Sequence, residues 1–353
     1  MMSSSSRAAQ RRPTLRMVAE RAGVSIATVS YVFSGRSGSA SGSGVGAETS
    51  ARVLAAAEEL NYRPNRAART VRTGRSGTVQ LSLNMLSDPW SLAVADAVNI
   101  EADRRGLTTL ILASGDWYTA LDRLESDVAY VDGLGDDDEA RDRVRDLAAR
   151  GQRLVVFDEK LEADGFDVIR SEALPGCEIA MAHLLERHTT IGCLTATSAR
   201  QRAVRQRTRY SVYTESMAAH GLEPDARWTQ EFSETQGSAF EAAVRLLTGE
   251  RRPTAIYATT DFAGIAAINA AHMLGLSVPH DVSIVGVGNT PLARDVAPTL
   301  TTVGPTDFYR RQAQIIVGRA VAGDSDPYRV HEFPWALVPG GSTDLDSSGP
   351  RRR

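Results

Sequence analysis

The sequence predicts an N-terminal all-α headpiece built on a helix-turn-helix, followed by a doubly wound α/β core. Three observations predict it. Between Thr14 and Gly35, apolar residues recur at helical spacing on both sides of a glycine. From Thr78 onward, apolar runs of strand length alternate with helix-length segments. The charge is also divided: residues 1–76 hold twelve Arg against four Glu, a net +8, so the rest of the chain carries −11 of the overall −3. Apolar strands separated by helices form parallel sheets covered on both faces. A basic head on an acidic body is the footprint of a DNA-binding module joined to something else.

Leu15, Val18, Ala19 and Ala22 fall at i, i+3, i+4 and i+7 and give the first helix one apolar face. Gly23 stands at the sharp turn, where positive φ carries no steric cost for glycine. Ser25 is a good N-cap for the second helix, and Val29, Val32 and Phe33 form its inner side. The small Ala19 and Ala22 let the two helices cross closely. A generic helical hairpin would share this periodicity but does not require the joint Ala/Gly/Val spacing. The tract 36–44 is a flexible loop by composition. A third helix is expected over about 48–60, with Val53, Ala56, Ala57 and Leu60 inward. Pro64 stops one element, Asn65 can cap a short new helix, and residues 72–77 form a linker.

In the body, strands are expected at 79–83, 108–113, 128–131, 154–157, 191–195, 255–258 and 283–287. Helices are expected between them at 92–105, 140–150, 177–186, 211–220, 238–247 and 262–274. Gly106, Gly151, Gly221 and Gly275 each follow a helix, where left-handed backbone closes the last turn.

No apolar run approaches 18 residues, so no membrane partner is expected. The first dozen residues are rich in Ser, Arg and Gln and lack the apolar region of a secretory signal; the expected location is the cytoplasm. Cys177 and Cys193 lack CxxC spacing and read as small buried hydrophobes. There is no Walker loop, no G-x-G-x-x-G after the first body strand, no G-x-S-x-G elbow and no metal-ligand cluster. The six His have no Ser or Cys partner pattern. No cofactor and no enzymatic activity are expected.

Two stretches of the head carry a family resemblance, Val18-Ala-x-x-Ala-Gly-Val-Ser-x-x-Thr-Val-Ser30 and Leu60-x-Tyr-x-Pro-Asn-x-x-Ala-Arg69. In the body, Pro253-Thr-Ala-Ile, Asp261, Gly275-Leu-x-Val-Pro-x-Asp-Val-Ser-Ile-Val-Gly286 and Pro298-x-Leu-Thr-Thr-Val303 add to it. Over residues 14–343 the chain resembles the lactose-repressor/galactose-repressor (LacI/GalR) family of bacterial transcription regulators. The resemblance implies a headpiece at 14–63, a hinge helix and linker at 64–77, and a periplasmic-binding-protein-like core at 78–343. That core would have two Rossmann-type subdomains joined by three crossings, the N-subdomain at about 78–170 and 290–322, the C-subdomain at about 171–289 and 323–343. Residues 1–13 and 344–353 would be disordered tails.

If the second helix enters the major groove, Ser25, Ile26, Ala27, Thr28 and Ser30 meet base edges, with Tyr31 one turn on. Ile26 and Ala27 suit thymine methyl groups. The family usually has Arg where this chain has Tyr31, so its operator sequence should differ. Thr14, Ser25, Thr28, Thr49 and Ser50 are candidate DNA contacts, their hydroxyls suited to phosphates; capping is the alternative role. The segment 65–71 resembles the minor-groove hinge helix, with Val71 where the family places a Leu wedge and Ala68 small enough for the groove floor. Two heads on a homodimer, alone or within a tetramer, would read a palindromic operator.

The resemblance also implies a small-molecule effector, a sugar or related metabolite, between the subdomains. Asp261 matches the family's ligand carboxylate, Arg209 its cleft arginine and Trp90 its aromatic ring. Asp116, Trp117 and Asp158 follow strands and are further candidates; packing or capping is the alternative for Trp117 and Asp158, and N-capping for Asp261. Departures cluster here: Glu172-Ala173, Gly288-Asn289 and Val338-Pro-Gly-Gly-Ser342 replace family polar groups. The expected function is a ligand-responsive repressor. A solute-binding protein for import, or an α/β enzyme with an accessory DNA-binding head, are the other classes that this core admits.

Overall fold

The computed structural model of the chain describes residues 13–33, 45–63, 70–71, 74–83, 88–113, 115–134, 138–233, 235–323 and 326–343. It divides into two compact units, residues 1–76 and 77–353.

In the head, α1 spans Leu15–Ala22, α2 Ile26–Phe33 and α3 Ala47–Glu59. Thr14 caps α1 by accepting from the Met17 N–H, and Gly23 ends it at φ 66°. Ser25 Oγ accepts the Thr28 N–H at 3.1 Å. The core is built entirely of Val and Ala: Val18, Ala19, Ala22, Val29, Val32, Val53, Ala56 and Ala57. Phe33 and Tyr62 close its rim with ring centroids 5.7 Å apart. Such short side chains let three helices pack closely, as the Ala spacing implies.

The second unit contains two six-stranded sheets. The first comprises β1 (Thr78–Leu83), β2 (Thr108–Ala113), β3 (Val128–Val131), β4 (Leu154–Phe157), β5 (Asp167–Arg170) and β11 (Val330–Glu332), ordered β11-β5-β4-β3-β1-β2. The second comprises β6 (Ile191–Ala196), β7 (Thr229–Phe232), β8 (Ala255–Ala258), β9 (Ser283–Val287), β10 (Thr301–Pro305) and β12 (Trp335–Val338), ordered β12-β10-β9-β8-β6-β7. All pairings are parallel except β10 with β12.

Helices cover both faces of each sheet. In the first, Val79, Leu81, Val128 and Tyr130 pack on α4 (Pro89–Arg104) and α12 (Phe308–Val321). The alternate residues Ala129, Val131, Leu154 and Val156 pack on α5 (Trp117–Arg123) and α6 (Asp138–Ala149). In the second, α7 (Ala173–Leu185) and α9 (Arg209–Ala219) cover one face, and α10 (Gln236–Thr248) and α11 (Asp261–Met273) the other. A short α8 (Thr197–Arg202) follows β6. Cys177 and Cys193 are fully buried. No described helix is long and apolar enough to cross a membrane.

Three crossings join the sheets, but two fall later than expected. The chain passes to the second sheet at 171–172, returns at 306–307 and passes again at 333–334. Segment 290–305, expected with the first subdomain, belongs to the second, because β10 completes the free edge of β9 with Thr301 opposite Val285. Segment 323–332, expected with the second, stays with the first. Asp167 of β5 holds it there: the buried carboxylate accepts from Arg319 Nε, the Arg329 N–H and His331 Nε2. Strands β5, β7, β10, β11 and β12, helices α5, α8 and α12, are elements beyond those expected.

Candidate functional site

The carboxyl ends of both sheets face one cavity of about 190 Å³, the switch-point crevice of doubly wound folds. Trp90 reaches it from the first turn of α4. Asp88 caps that helix by accepting the Trp90 N–H at 3.1 Å, and Pro89 presets the backbone. The indole rests on Phe308 (4.6 Å between centroids), Tyr309 (5.2 Å) and Phe157 (6.0 Å), which fix its position.

Arg209 opens α9 behind a capping box of Thr208 and Ser211. One of its amino groups donates to the Thr259 carbonyl at 2.8 Å, and the guanidinium lies 5.8 Å from the Trp335 ring. A guanidinium with one bond committed keeps further donors for hydroxyl or carbonyl oxygens.

Asp261 forms part of the cavity wall while being only 1% exposed. Its Oδ2 accepts from the Thr290 N–H (2.6 Å) and Thr290 Oγ1 (2.9 Å), and its Oδ1 from Thr302 Oγ1. Burial pushes the carboxyl pKa up, against the pull of these hydrogen bonds and of Arg209. The N-cap of α11 is Thr260, not Asp261. Asp261 therefore clasps the 288–290 loop and β10 to α11. Glycine at 286 makes room for it, since a Cβ there would sit 2.6 Å from Oδ1.

Three sequence candidates lie elsewhere. Asp158 does not line the cavity. Its carboxylate accepts from Arg141 Nε (3.2 Å) and Nη2 (3.1 Å) and from the N–H groups of Lys160 (2.7 Å) and Leu161 (2.8 Å), so it builds the loop after β4. Asp116 is exposed and caps α5 through the N–H and hydroxyl of Thr119, bonds that lower its pKa. Trp117 packs edge-on against Tyr118 within the α5–α6 layer. The loop conformation explains the first miss: Phe157 and Glu159 line the cavity, and the carboxylate of Asp158 between them is taken up by Arg141 and the loop N–H groups.

The cavity gains residues that sequence reasoning passed over: Glu159, Phe262, Thr290 and Trp335. Burial raises the Glu159 carboxyl, opposed by the Ala173 N–H and Arg209. Glu159 adjoins a candidate in the loop after β4. Trp335 belongs to a strand that composition did not reveal. Among the described residues, no His, Cys, Asp and Glu cluster could hold a metal ion.

In the head, Ile26 is 51% and Tyr31 48% exposed on α2, and Ala27 is exposed beside them. The Ser25 and Thr28 hydroxyls bond to each other at 2.9 Å, and Ser30, Thr49 and Ser50 are half-buried. Thr70 and Val71 are helical and Val71 is 89% exposed. Asn65, Ala68 and the tract 36–44 lie outside the described residues.

Comparison with known proteins accords with both halves. Residues 14–65 match the model of bacterial regulatory proteins of the lacI family, and residues 181–343 that of a periplasmic binding protein-like domain. The HTH-type transcriptional repressor PurR of Photobacterium profundum is 30% identical over 299 residues, covering 82% of this chain and 86% of that protein. The transcriptional regulator CelR in complex with cellobiose is 25% identical, with a TM-score of 0.58 over 94% of this chain and 100% of the other. The lac repressor dimer bound to operator and the anti-inducer ONPF, 24% identical, shares the fold with a TM-score of 0.67 over 94% and 99% of the two chains. A helix-turn-helix head, a two-sheet core around a cleft, and relatedness along most of the length lead to one assignment: the chain belongs to the lacI family of bacterial regulatory proteins, DNA-binding transcriptional repressors with an effector-binding core rather than enzymes.

Proposed function

We propose that this protein binds a palindromic operator as a homodimer and responds to a small metabolite with a hydroxylated ring, a sugar or a close analogue. One observation carries the reading. The cavity is walled by Trp90 and Phe157 from the first subdomain and by Arg209 and Asp261 from the second, so an occupant has differential contact with open and closed hinge angles, the requirement for a population shift. Aromatic faces beside a guanidinium suit a ring with an apolar face and oxygen substituents. The cellobiose complex of CelR, a relative at 25% identity, supports this class.

On the DNA side, Ile26, Ala27 and Tyr31 are the proposed base readers. Ser25, Thr28, Ser30, Thr49, Ser50 and Thr14 supply hydroxyls for the phosphates, and residues 65–71 form the proposed minor-groove segment. The proposed dimer face includes β2, an edge strand with Leu110 41% and Ile111 46% exposed, and the neighbouring α4, with Leu92 52% and Ile100 47% exposed. Unpaired edges carrying apolar side chains are places where sheets meet partners.

The test is selection of genomic fragments by the full chain, followed by footprinting and a sugar panel titrated against the complex. The reading expects a protected two-fold site and at least one sugar that alters its occupancy. Absence of a preferred site would end it.

A further inference from the structure

Trp335 is the first residue of β12 and follows the third crossing directly. Its neighbour Phe333 is tied to the first subdomain: its N–H donates to the Arg170 carbonyl at 2.9 Å and its ring meets Phe308 at 4.8 Å. Trp335 itself is tied to the second. In the β10–β12 ladder it lies opposite Pro305, the last residue before the second crossing. Its indole lies against the first turn of α7, where a Cβ on Gly176 would come within 2.9 Å of the Trp335 Cβ and Cδ2. Its Nε1–H donates to Ser171 Oγ at 2.7 Å, and Ser171 is the first crossing. One residue thus bonds the first crossing through its side chain, pairs with the start of the second through its backbone and ends the third.

The same residue lines two cavities. One is the cleft, where its ring stands 5.8 Å from the Arg209 guanidinium. The other is a groove of about 370 Å³ formed with Arg170, Glu172, Pro175 and Glu332 around the crossings. Ser171 is 3% exposed, so the bond to it is shielded from water. A shielded bond between two crossing segments makes them move together rather than separately.

We infer that Trp335 is a positioning residue, the rung that joins the three crossings into one joint and presents that joint as a wall of the effector cleft. The inference rests on the cleft being the effector site, but the rung is measurable without any effector. In hydrogen–deuterium exchange on the full-length protein, Ser171→Ala should speed exchange about fivefold in peptides covering 335–338 and 306–309, segments far away in sequence. That factor is the population change from losing one neutral hydrogen bond. Ser171→Thr, which keeps the hydroxyl, should restore wild-type exchange there. Trp335→Phe, which keeps a ring but no N–H, should speed exchange at 171–174, and the double variant should add nothing to the Ser171→Ala change at 306–309. Changes confined to the substituted segment, or a Thr variant as fast as the Ala variant, would overturn the rung. Failure of the repressor reading itself would be seen separately, as a wild-type chain that selects no operator.

Discussion

The head makes a sharp distinction between positions that hold it together and positions that face outward, and a pair of substitutions can measure it. Val29 is fully buried among seven other Val and Ala residues, and Ile26, one turn earlier on the same helix, is 51% exposed. Val29→Ala deletes two methyl groups at about 0.8 kcal/mol each and leaves a cavity, for a loss of about 2–3 kcal/mol. A unit of this size has roughly 0.05–0.15 kcal/mol of stability per residue, so its total is about 3–7 kcal/mol. With about 0–5 kcal/mol left, the variant head should melt at a much lower temperature yet remain at least about half folded in the cold. Because the apparent dissociation constant rises only by the inverse of the folded fraction for each head, operator affinity in the cold should fall by no more than about fourfold.

Ile26→Ala should behave in the opposite way. Surface substitutions of this kind move stability by no more than about 0.5 kcal/mol. On the proposed docking the apolar contact with a base edge would be lost in both heads of a dimer, and a lost base contact costs about 1–3 kcal/mol at each half-site. Operator affinity should fall by about one to several orders of magnitude at every temperature, with head melting unchanged. Mobility shift in the cold and on warming, alongside proteolysis of the head in the full chain, separates the two. If Val29→Ala weakens cold operator binding more than Ile26→Ala does, α2 is not presenting Ile26 to DNA and the docking geometry is wrong.

Removal of residues 1–76 should abolish operator selection while sugar binding measured by calorimetry persists; a truncated chain that still selects the operator would refute the division of labour. Asp261→Ala strips the acceptor from the Thr290 N–H and two hydroxyls, so chemical denaturation should show a core weaker by about 2–4 kcal/mol, and the effector response should fall with it. At Asp167, burial works to raise the carboxyl pKa, but hydrogen bonds from His331, Arg319 and the Arg329 N–H outweigh it and hold the group below its ordinary value. A depressed carboxyl pKa contributes stability that is present above the unfolded value of about 4 and disappears as pH falls through the folded one. Calorimetry should thus show an acid-side loss of core stability that is shallower in Asp167→Asn, whose plateau near neutrality is lower by about 3 kcal/mol because Arg319 is left buried without its counter-charge.

How far the sequence could be read depended on which face of an element its residues occupied. The seven strands visible in composition match observed strands to within a residue, because all but β2 are buried on both sides and their apolar runs are uninterrupted. The strands that escaped notice are short or polar. β7 reads Thr-Gln-Glu-Phe, β11 reads Val-His-Glu, and β5 begins with the Asp167 that anchors three donors. A buried carboxylate in a strand looks like a loop until its partners, more than 150 residues away, are known. That ambiguity displaced both late crossings, since whether 290–305 and 323–332 pair with one sheet or the other is decided by edges that periodicity does not describe.

The cleft repeats the lesson at the scale of single side chains. Trp90 and Arg209 were legible because each matches a position of the family pattern, and the structure sets each in the first turn of a capped helix. Asp158 and Glu159 are adjacent in the loop after β4, and only the observed loop conformation, with Asp158 turned to Arg141 and the loop N–H groups, brings Glu159 to the cavity. Trp335 had no local signal at all. Its importance arises from three chain segments at 171, 305 and 333 converging on one indole, and convergence is a property of topology. Residues that position a joint between crossings have reason to be the ones least visible in a linear reading, because such a joint exists only where distant parts of the chain meet.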